Sequence, residues 1–412
     1  MISLSHAPNA TAEQQALCRQ WLKPWRLTQW RKGSAIGALE SWFAKRYNVP
    51  DAVGFSTGRE ALYAILHAFG IGHGDDVVIQ AYTCIVVPHA VLWNCARPVY
   101  VDIDRSLNID VGKVESAITP NTKAVIVQHT FGMPANMNKL MAICKQRGLL
   151  LIEDVAHAFG ARYQGKELGS FGDAALFSFG RDKAISSTAG GMAIAKDPEI
   201  AKRLRAIADA SPYPSLLTIK QNLLHPLIVP WCAKRMGKRR LGSVLMLLAQ
   251  AMRLINRVYT SREIDSKPPT MPTRRLPNAM AALAWQQLQD HHETFLAHRK
   301  TLVNFYTQWT SQRRLAQQAI TTNAEPSWLR FTLFVDHPQT IINAMREQGY
   351  QLGDWYKAVI MPKPHDLQLL GYVPGSCPQA EQAARTSLNL PTHIHMTQQD
   401  LIALTAALAS HV

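Results

Sequence analysis

The sequence predicts an α/β protein with a mostly parallel sheet flanked by helices, followed by a smaller α+β unit. Short apolar runs alternate with segments of helical periodicity up to about residue 200, and this alternation is typical of parallel strands joined by helices. The chain has 412 residues, of which 47% are hydrophobic. Because this length exceeds what one hydrophobic core usually holds, we expect two domains.

The elements of the first half follow from apolar spacing and from the turn residues between them. The predicted strands are the apolar runs Val77 to Ile79, Val99 to Asp102, Ala124 to Gln128, Leu149 to Ile152, Ala174 to Phe179 and Met192 to Ala195. The predicted helices repeat apolar residues every three or four positions and cover Arg59 to Phe69, Val111 to Ile118, Met137 to Arg147 and Pro198 to Asp209. Gly70, Pro120, Gly148 and Ser211 stop these helices.

A large domain is predicted at residues 1–290 and a small C-terminal domain at residues 291–412. Leu276 to Leu288 has the periodicity of a helix that returns to the first core. The last predicted helix lies near Gln398 to Ala409.

An insert at residues 211–266 interrupts the large domain and holds much of the positive charge. The formal net charge is +15, and residues 202–263 contain twelve Lys or Arg against only Asp209 and Glu263. Apolar segments are interleaved with these cations. Three interpretations stay open: an interfacial helix lying on an anionic membrane, a lid or dimer interface whose arginines bind a diphosphate, and a solvated basic face. We expect no specific nucleic-acid partner, because no reading module is recognisable.

Cysteine usage and the N-terminal residues predict a cytoplasmic protein, lying at the inner face of the membrane if the insert binds lipid. The six cysteines show no CxxC pair or zinc-like spacing, which fits a reduced compartment and predicts no metal site. Residues 1–20 lack the basic start and apolar run of a secretion signal. No apolar stretch reaches the roughly 18 residues that span a bilayer.

Two motifs at predicted strand ends carry the chemistry. Asp154, in Glu153-Asp154-Val155-Ala156-His157, follows a buried strand at the edge where ligands collect. The next run delivers the hydroxyl of Ser178 and the amine of Lys183 to the following turn. A carboxylate that keeps a pyridine nitrogen protonated and an amine that forms a Schiff base are what a pyridoxal phosphate enzyme requires. We therefore predict pyridoxal 5'-phosphate as the cofactor.

An ordered series of motifs resembles the DegT/DnrJ/EryC1/StrS family of sugar aminotransferases. The series comprises Ser56 to Leu62, Gly72 to Val77, Pro98 to Asp104, His129 to Met137 and the two motifs above, with a thinner likeness at Arg275 to Leu288 and Cys377 to Pro391. The resemblance implies the aspartate aminotransferase fold (fold type I), with a mostly parallel seven-stranded sheet between helices. It also implies a homodimer that moves an amino group, from glutamate, to a keto-sugar carried on a nucleotide or lipid diphosphate, in surface polysaccharide or secondary metabolite biosynthesis.

The same resemblance implies a role for each candidate residue. Lys183 matches the lysine that bonds to the cofactor, Asp154 the acid facing the pyridine nitrogen, His157 a residue near the phenolic oxygen, and Ser178 a phosphate ligand. Thr57, Gly58 and Arg59 match the phosphate loop, where a helix start turns N–H groups and its positive dipole end toward an anion. Tyr82 and Thr83 match the segment that covers the ring.

Structural interpretations and other functions stay open beside these roles. Asp154 could cap a helix beginning near Ala156, His157 and Ser178 could be ordinary core and strand residues, and Arg59 and Lys183 could be solvated. A pyridoxal lyase or dehydratase would share Asp154 and Lys183, and a noncatalytic cofactor-binding protein is a further alternative. The chain also departs from the family pattern: Cys84 stands where an aromatic residue commonly lies, which leaves Tyr82 or another residue to stack on the ring.

Overall fold

The computed structural model describes residues 2–3, 9–233, 235, 241–257, 264–265, 272–364 and 366–412. Part of the predicted basic insert lies outside the described residues, including Lys234, Lys238 to Arg240, Arg262 and Glu263. Met271 lies outside them as well.

The strands of the described chain are mostly short. In chain order they are β1 (Ile2–Ser3), β2 (Ala52–Phe55), β3 (Asp76–Gln80), β4 (Thr83–Cys84), β5 (Arg97–Val101), β6 (Thr122–Gln128), β7 (Leu150–Asp154), β8 (Arg162–Tyr163), β9 (Lys166–Glu167), β10 (Ala174–Ser178), β11 (Gly191–Ala195), β12 (Ala316–Gln317), β13 (Ala324–Glu325), β14 (Phe331–Phe334), β15 (Tyr350–Gln351), β16 (Ile360–Met361) and β17 (Ser387–Leu390).

Seven of these strands form the central sheet, in the order β2-β11-β10-β7-β6-β3-β5. The pairs from β10 to β5 are all parallel, whereas β11 runs antiparallel to both β10 and β2. The predicted α/β class with a mostly parallel seven-stranded sheet is confirmed.

The helices are α1 (Ala12–Trp21), α2 (Ser34–Tyr47), α3 (Gly58–Ala68), α4 (Val86–Trp93), α5 (Val111–Ala117), α6 (Met137–Arg147), α7 (Pro198–Ala210), α8 (Leu216–Ala233), α9 (Leu241–Ala251), α10 (Asn278–Asp290), α11 (His292–Arg313), α12 (Pro338–Glu347), α13 (Pro378–Thr386) and α14 (Gln398–Leu408). Each bound of the six predicted strands and four predicted helices of the first half lies within two residues of the observed one.

Both faces of the central sheet are buried, because its strands are apolar on both sides. In β6, Val125 and Val127 pack on one face with Phe43 of α2. Ala124 and Ile126 pack on the other face with helices α3, α4 and α7. Side chains that alternate between two covered faces are typical of a parallel sheet between helical layers.

The C-terminal part has its own sheet and core but is paired to the first part by strands. The sheet is β12-β14-β17, and α11, α12 and α14 pack on it. Three other short strands of this part pair with strands of the first part: β13 with β8, β15 with β1, and β16 with β4. The domain boundary at residue 290 falls between α10 and α11 and stays a prediction.

The described part of the insert consists mainly of α8 and α9, which pack on each other around Val229, Ala249 and Ile255. Helix α8 also contacts α1 and α10. No helix within the described ranges has the length and apolar character to cross a membrane.

Candidate active site

Three neighbouring strands of the central sheet end at one cavity of about 840 Å³. Gln128, Asp154 and Ser178 are the last residues of β6, β7 and β10, and all three line it. The start of α3 and the turn that carries Lys183 complete the inner wall. Ligands of open α/β sheets bind at this edge, so the topology itself indicates a binding site here.

Asp154 is a buried carboxyl group with one oxygen committed to the backbone. Its Oδ1 accepts a hydrogen bond from the N–H of Ala156 at 2.9 Å, but the described residues that follow form a turn, so the expected helix beginning near Ala156 is absent there. Burial raises the pKa of Asp154, although the Ala156 N–H and the nearby Lys183 amine oppose this rise. A carboxylate that has lost its hydration gains most from a cationic partner, which here would be a protonated ring nitrogen.

Lys183 faces the same cavity from the turn after β10. Its backbone N–H donates to Gly180 O at 3.1 Å, and the Asn9 side chain donates to its carbonyl at 2.8 Å. These two hydrogen bonds hold the turn in place. Burial lowers the pKa of the Lys183 amine, with Asp154 and Asp182 among the groups that oppose this shift. A larger fraction of the amine is therefore unprotonated, which is the form that attacks a carbonyl carbon.

The start of α3 forms an anion cradle. Thr57 caps the helix by accepting a hydrogen bond from the N–H of Glu60 at 3.2 Å. A Cβ on Gly58 would lie 2.9 Å from Ser178 Cβ, and a Cβ on Gly191 would lie 2.6 Å from the backbone of Gly58. Only glycines at both positions let the helix start, the Ser178 hydroxyl and the beginning of β11 approach this closely. N–H groups at a helix start with a hydroxyl beside them suit a phosphate.

His157 is buried and lines the cavity. Burial lowers its pKa well below the ordinary value, and the cations Lys183 and Arg330 lower it further. Nδ1 accepts a hydrogen bond from the N–H of Phe131 at 3.4 Å, so the neutral ring keeps its hydrogen on Nε2. His157 is thus a fixed neutral donor.

Of the predicted site residues, Tyr82 and its neighbour Thr83 do not line the cavity, and Tyr82 has a supporting role instead. Its side chain is fully buried, and its hydroxyl donates to Ser387 Oγ at 2.7 Å and accepts from the N–H of Tyr356 at 3.0 Å. Tyr82 therefore supports the segment that holds Trp355 and Tyr356, which do line the cavity. The other seven predicted residues line the same cavity, and their roles toward a cofactor stay predictions.

Three groups near Lys183 were not predicted from the sequence: the guanidinium of Arg330, the carboxyl group of Asp182 and the indole of Trp355. Arg330 is buried, with its guanidinium carbon 4.1 Å from the centre of the Trp355 ring. Lys183 Nζ lies 5.9 Å from the same ring. Burial raises the pKa of Asp182, and Arg330 is the strongest opposing charge. Asp182 adjoins the lysine in sequence and could have been found; Arg330 and Trp355 come from distant segments without a recognisable motif.

The outer wall of the cavity comes from the insert. Thr218, Gln221 and Asn222 of α8 line it together with Asn256 and Arg257. Asn256 donates to Asn222 Oδ1 at 3.3 Å and accepts from Arg181, a further residue of the wall. This wall is polar and basic, whereas the exposed side of the insert adds large apolar side chains to its cations.

The residues present fit pyridoxal phosphate. The inner cavity places a carboxylate, an amine, a hydroxyl and a helix start around one space, and the two glycines keep side-chain atoms out of the cradle. The described residues contain no cluster of three or more His, Cys, Asp or Glu suited to a metal ion.

Comparisons with known proteins point to one group. A sequence model described as the DegT/DnrJ/EryC1/StrS aminotransferase family matches residues 9–214 and 249–409. UDP-N-acetyl-3-dehydro-alpha-D-glucosamine 3-aminotransferase of Acidithiobacillus ferrooxidans is 41% identical over 177 residues, which are 42% of this chain and 48% of that protein. GDP-perosamine synthase of Caulobacter vibrioides is 39% identical over 176 residues, or 42% and 47% of the two chains. The chain thus spans about half the length of the curated relatives it matches.

A solved structure shares the fold across the whole chain. The PMP form of Spr1654 from Streptococcus pneumoniae superposes with a TM-score of 0.77 over 100% of this chain and 98% of that one, at 21% identity. A PLP form of the same protein has also been solved.

Proposed function

The chain belongs to the DegT/DnrJ/EryC1/StrS aminotransferase family, and from that membership we propose that it is a pyridoxal phosphate-dependent aminotransferase acting on a keto-sugar. The observation that carries the proposal is the single cavity that gathers Asp154, Ser178, Lys183 and the start of α3. Each of these groups suits a different part of one cofactor.

The residues of the inner cavity would contact the cofactor at four of its groups: the ring nitrogen, the phosphate, the aldehyde carbon and the phenolic oxygen. Asp154 would face the ring nitrogen, the helix start and Ser178 would hold the phosphate, and Lys183 would bond to the aldehyde carbon. His157 would donate from Nε2 toward the phenolic oxygen. When bound, pyridoxal phosphate supplies an electron sink for the carbanion that forms at the carbon bearing the amino group.

Lys183 would also move the proton that amino transfer requires. After substrate amine displaces it, its unprotonated Nζ can take the proton from the reacting carbon and return it at the neighbouring position. The lowered pKa favours this use, because a lysine with its ordinary pKa would be almost fully protonated at neutral pH. A protonated ring nitrogen would favour the ionised form of Asp154 against the effect of burial, and the carboxylate would in turn keep that nitrogen protonated.

The outer wall would select the substrate. Amide side chains of Gln221, Asn222 and Asn256 can hydrogen-bond to sugar hydroxyl groups, and Arg181 and Arg257 can pair with a diphosphate. The named relatives act on nucleotide-linked sugars, which supports this substrate class. We propose glutamate as the amino donor, a homodimer as the assembly and the cytoplasm as the location.

Reduction with borohydride followed by peptide mass spectrometry tests the cofactor and its lysine together. We expect a pyridoxyl adduct on the peptide that contains Lys183, and its loss in Lys183→Ala. Lys196→Ala is the matched control, because Lys196 does not line the cavity and its Nζ donates to Phe171 O at 2.9 Å. An adduct on another peptide would refute the assignment.

Glutamate alone then separates a transaminase from a lyase or dehydratase. A transaminase converts the bound cofactor from its aldehyde to its amine form without a second substrate, and the visible absorbance falls as it does so. Unchanged absorbance with every amino acid tried would contradict amino transfer while leaving cofactor binding in place.

A further inference from the structure

The insert carries an apolar face that no described part of the chain covers. Around α9, five large side chains each have at least half of their surface exposed: Leu241, Val244, Leu247, Leu248 and Met252. Their spacing places them along one side of the helix. Eight of the fifteen exposed large hydrophobic side chains in the described residues lie between Leu216 and Met252. Such a concentration marks an interaction surface, because soluble proteins scatter exposed apolar residues singly.

The same segment is basic and has no acidic residue to offset it. Lys220, Arg235, Arg253 and Arg257 are exposed, and the sequence contains no Asp or Glu from residue 210 to residue 262. The Arg235 guanidinium carbon lies 4.0 Å from the centre of the Trp231 ring, and Trp231 is itself half exposed. The exposed part of the segment therefore presents aliphatic, aromatic and cationic groups, although Arg257 among them also lines the cavity.

An apolar face of this kind can bind either a second copy of the chain or a lipid surface, and the charge of the segment favours one of the two. A second copy of the chain that placed this patch on itself about a two-fold axis would bring cations against cations, without an acid from the segment between them. An anionic lipid surface satisfies both features, since apolar side chains enter the headgroup boundary while Lys and Arg pair with lipid phosphates.

We propose that the face formed by α8 and α9 docks on an anionic membrane surface. Most of α8 and α9 falls in the gap of the family match at residues 215–248, whereas Met252 and Arg253 lie in the matched part. Helix α8 contributes to both sites: Trp231 belongs to the exposed side, while Thr218, Gln221 and Asn222 line the catalytic cavity. Docking would hold the cavity close to the lipid surface.

Vesicle sedimentation of the full-length holoprotein tests this. We expect binding to phosphatidylcholine vesicles that contain phosphatidylglycerol, weak binding to phosphatidylcholine alone, and loss of binding as ionic strength rises. Leu247→Asp should weaken binding about tenfold or more, since it places a charge in the apolar contact. Arg253→Gln should weaken it roughly fivefold.

Matched variants on other surfaces control for charge and folding. Ile402 on α14 and Lys300 on α11 are also exposed, so Ile402→Asp and Lys300→Gln should leave vesicle binding unchanged. Circular dichroism and the visible absorbance of the cofactor confirm that each variant is folded. No binding at low ionic strength, or equal loss in Leu247→Asp and Ile402→Asp, overturns the proposal. So does a Leu247→Asp variant whose sedimentation mass falls relative to the parent, because the face would then join two copies of the chain.

Discussion

Replacing Gly191 by Ala should weaken cofactor binding without unfolding the protein. The added Cβ would lie 2.6 Å from the Gly58 backbone, whereas ordinary contacts begin at 3.4 Å, so β11 and the start of α3 must separate by about 0.8 Å. Overpacking of this kind costs about 1–3 kcal/mol of unfolding free energy.

The larger effect should be on the phosphate cradle. A shift of this size stretches N–H to phosphate hydrogen bonds from about 2.9 Å to beyond the range in which they are strong. Losing one such bond to a charged group removes about 1.5–3 kcal/mol, so the cofactor Kd should rise roughly tenfold to a hundredfold.

Two titrations measure these effects. Urea unfolding of the apoprotein gives the stability change, and absorbance during addition of pyridoxal phosphate gives the Kd. Gly37→Ala is the control, because Gly37 lies near the start of α2 and none of the described atoms outside the backbone of that helix is within 4 Å of an added Cβ. That variant should keep its Kd and gain up to about 1 kcal/mol from helix propensity. A Gly191→Ala protein with an unchanged Kd would refute the claim that the start of α3 binds the phosphate of the cofactor.

Two further predictions concern the neighbouring acids. Asp154→Asn should retain the lysine adduct yet lose roughly a hundredfold or more in turnover, because a neutral amide does not hold the ring nitrogen protonated. The control is Asp197→Asn at an exposed helix cap, which should keep full activity in the same assay. Glu153→Gln should lower the unfolding free energy by about 2–4 kcal/mol, because the carboxylate accepts from the N–H groups of Gly169, Phe171 and Gly172. Burial opposes ionisation of Glu153, but these bonds and His129 outweigh it and hold its pKa below 4.5. Its contribution is therefore complete above about pH 4.5 and is lost as the pH falls further, so urea midpoints of parent and variant should converge in acid; a gap independent of pH would contradict this.

The central sheet could be predicted because its strands are continuous apolar runs closed by turn residues. Strand β2 was missed because Ala52–Phe55 is short and contains Gly54. That glycine is explained only by packing, since a Cβ there would lie 2.8 Å from Leu276, more than 200 residues away in the chain. The two-residue strands of the C-terminal part likewise carry no periodicity of their own.

The inner site was predictable to the extent that its residues follow strands or begin a helix. Asp154, Ser178 and Thr57 hold such positions, and the motifs that contain them carry the family resemblance, which is confirmed. Tyr82 shows the limit of a motif, which gives a position in the chain but not the direction of a side chain. Trp355 reaches the cavity, and Arg330 the ring of Trp355, through tertiary packing alone.

The strand pairs that cross between the two parts of the chain restrict how this protein can be recombined with its relatives. The backbone N–H groups of Thr83 and Ile85 bond to carbonyls of Val359 and Met361, each at 2.9 Å. A chimaera that exchanged only the segment after residue 290 would require its replacement to reproduce these edges in register. Fragments expressed separately would each present open strand edges to solvent, and such edges promote aggregation. In chimaeras with relatives, the two parts should therefore be exchanged together and not one without the other.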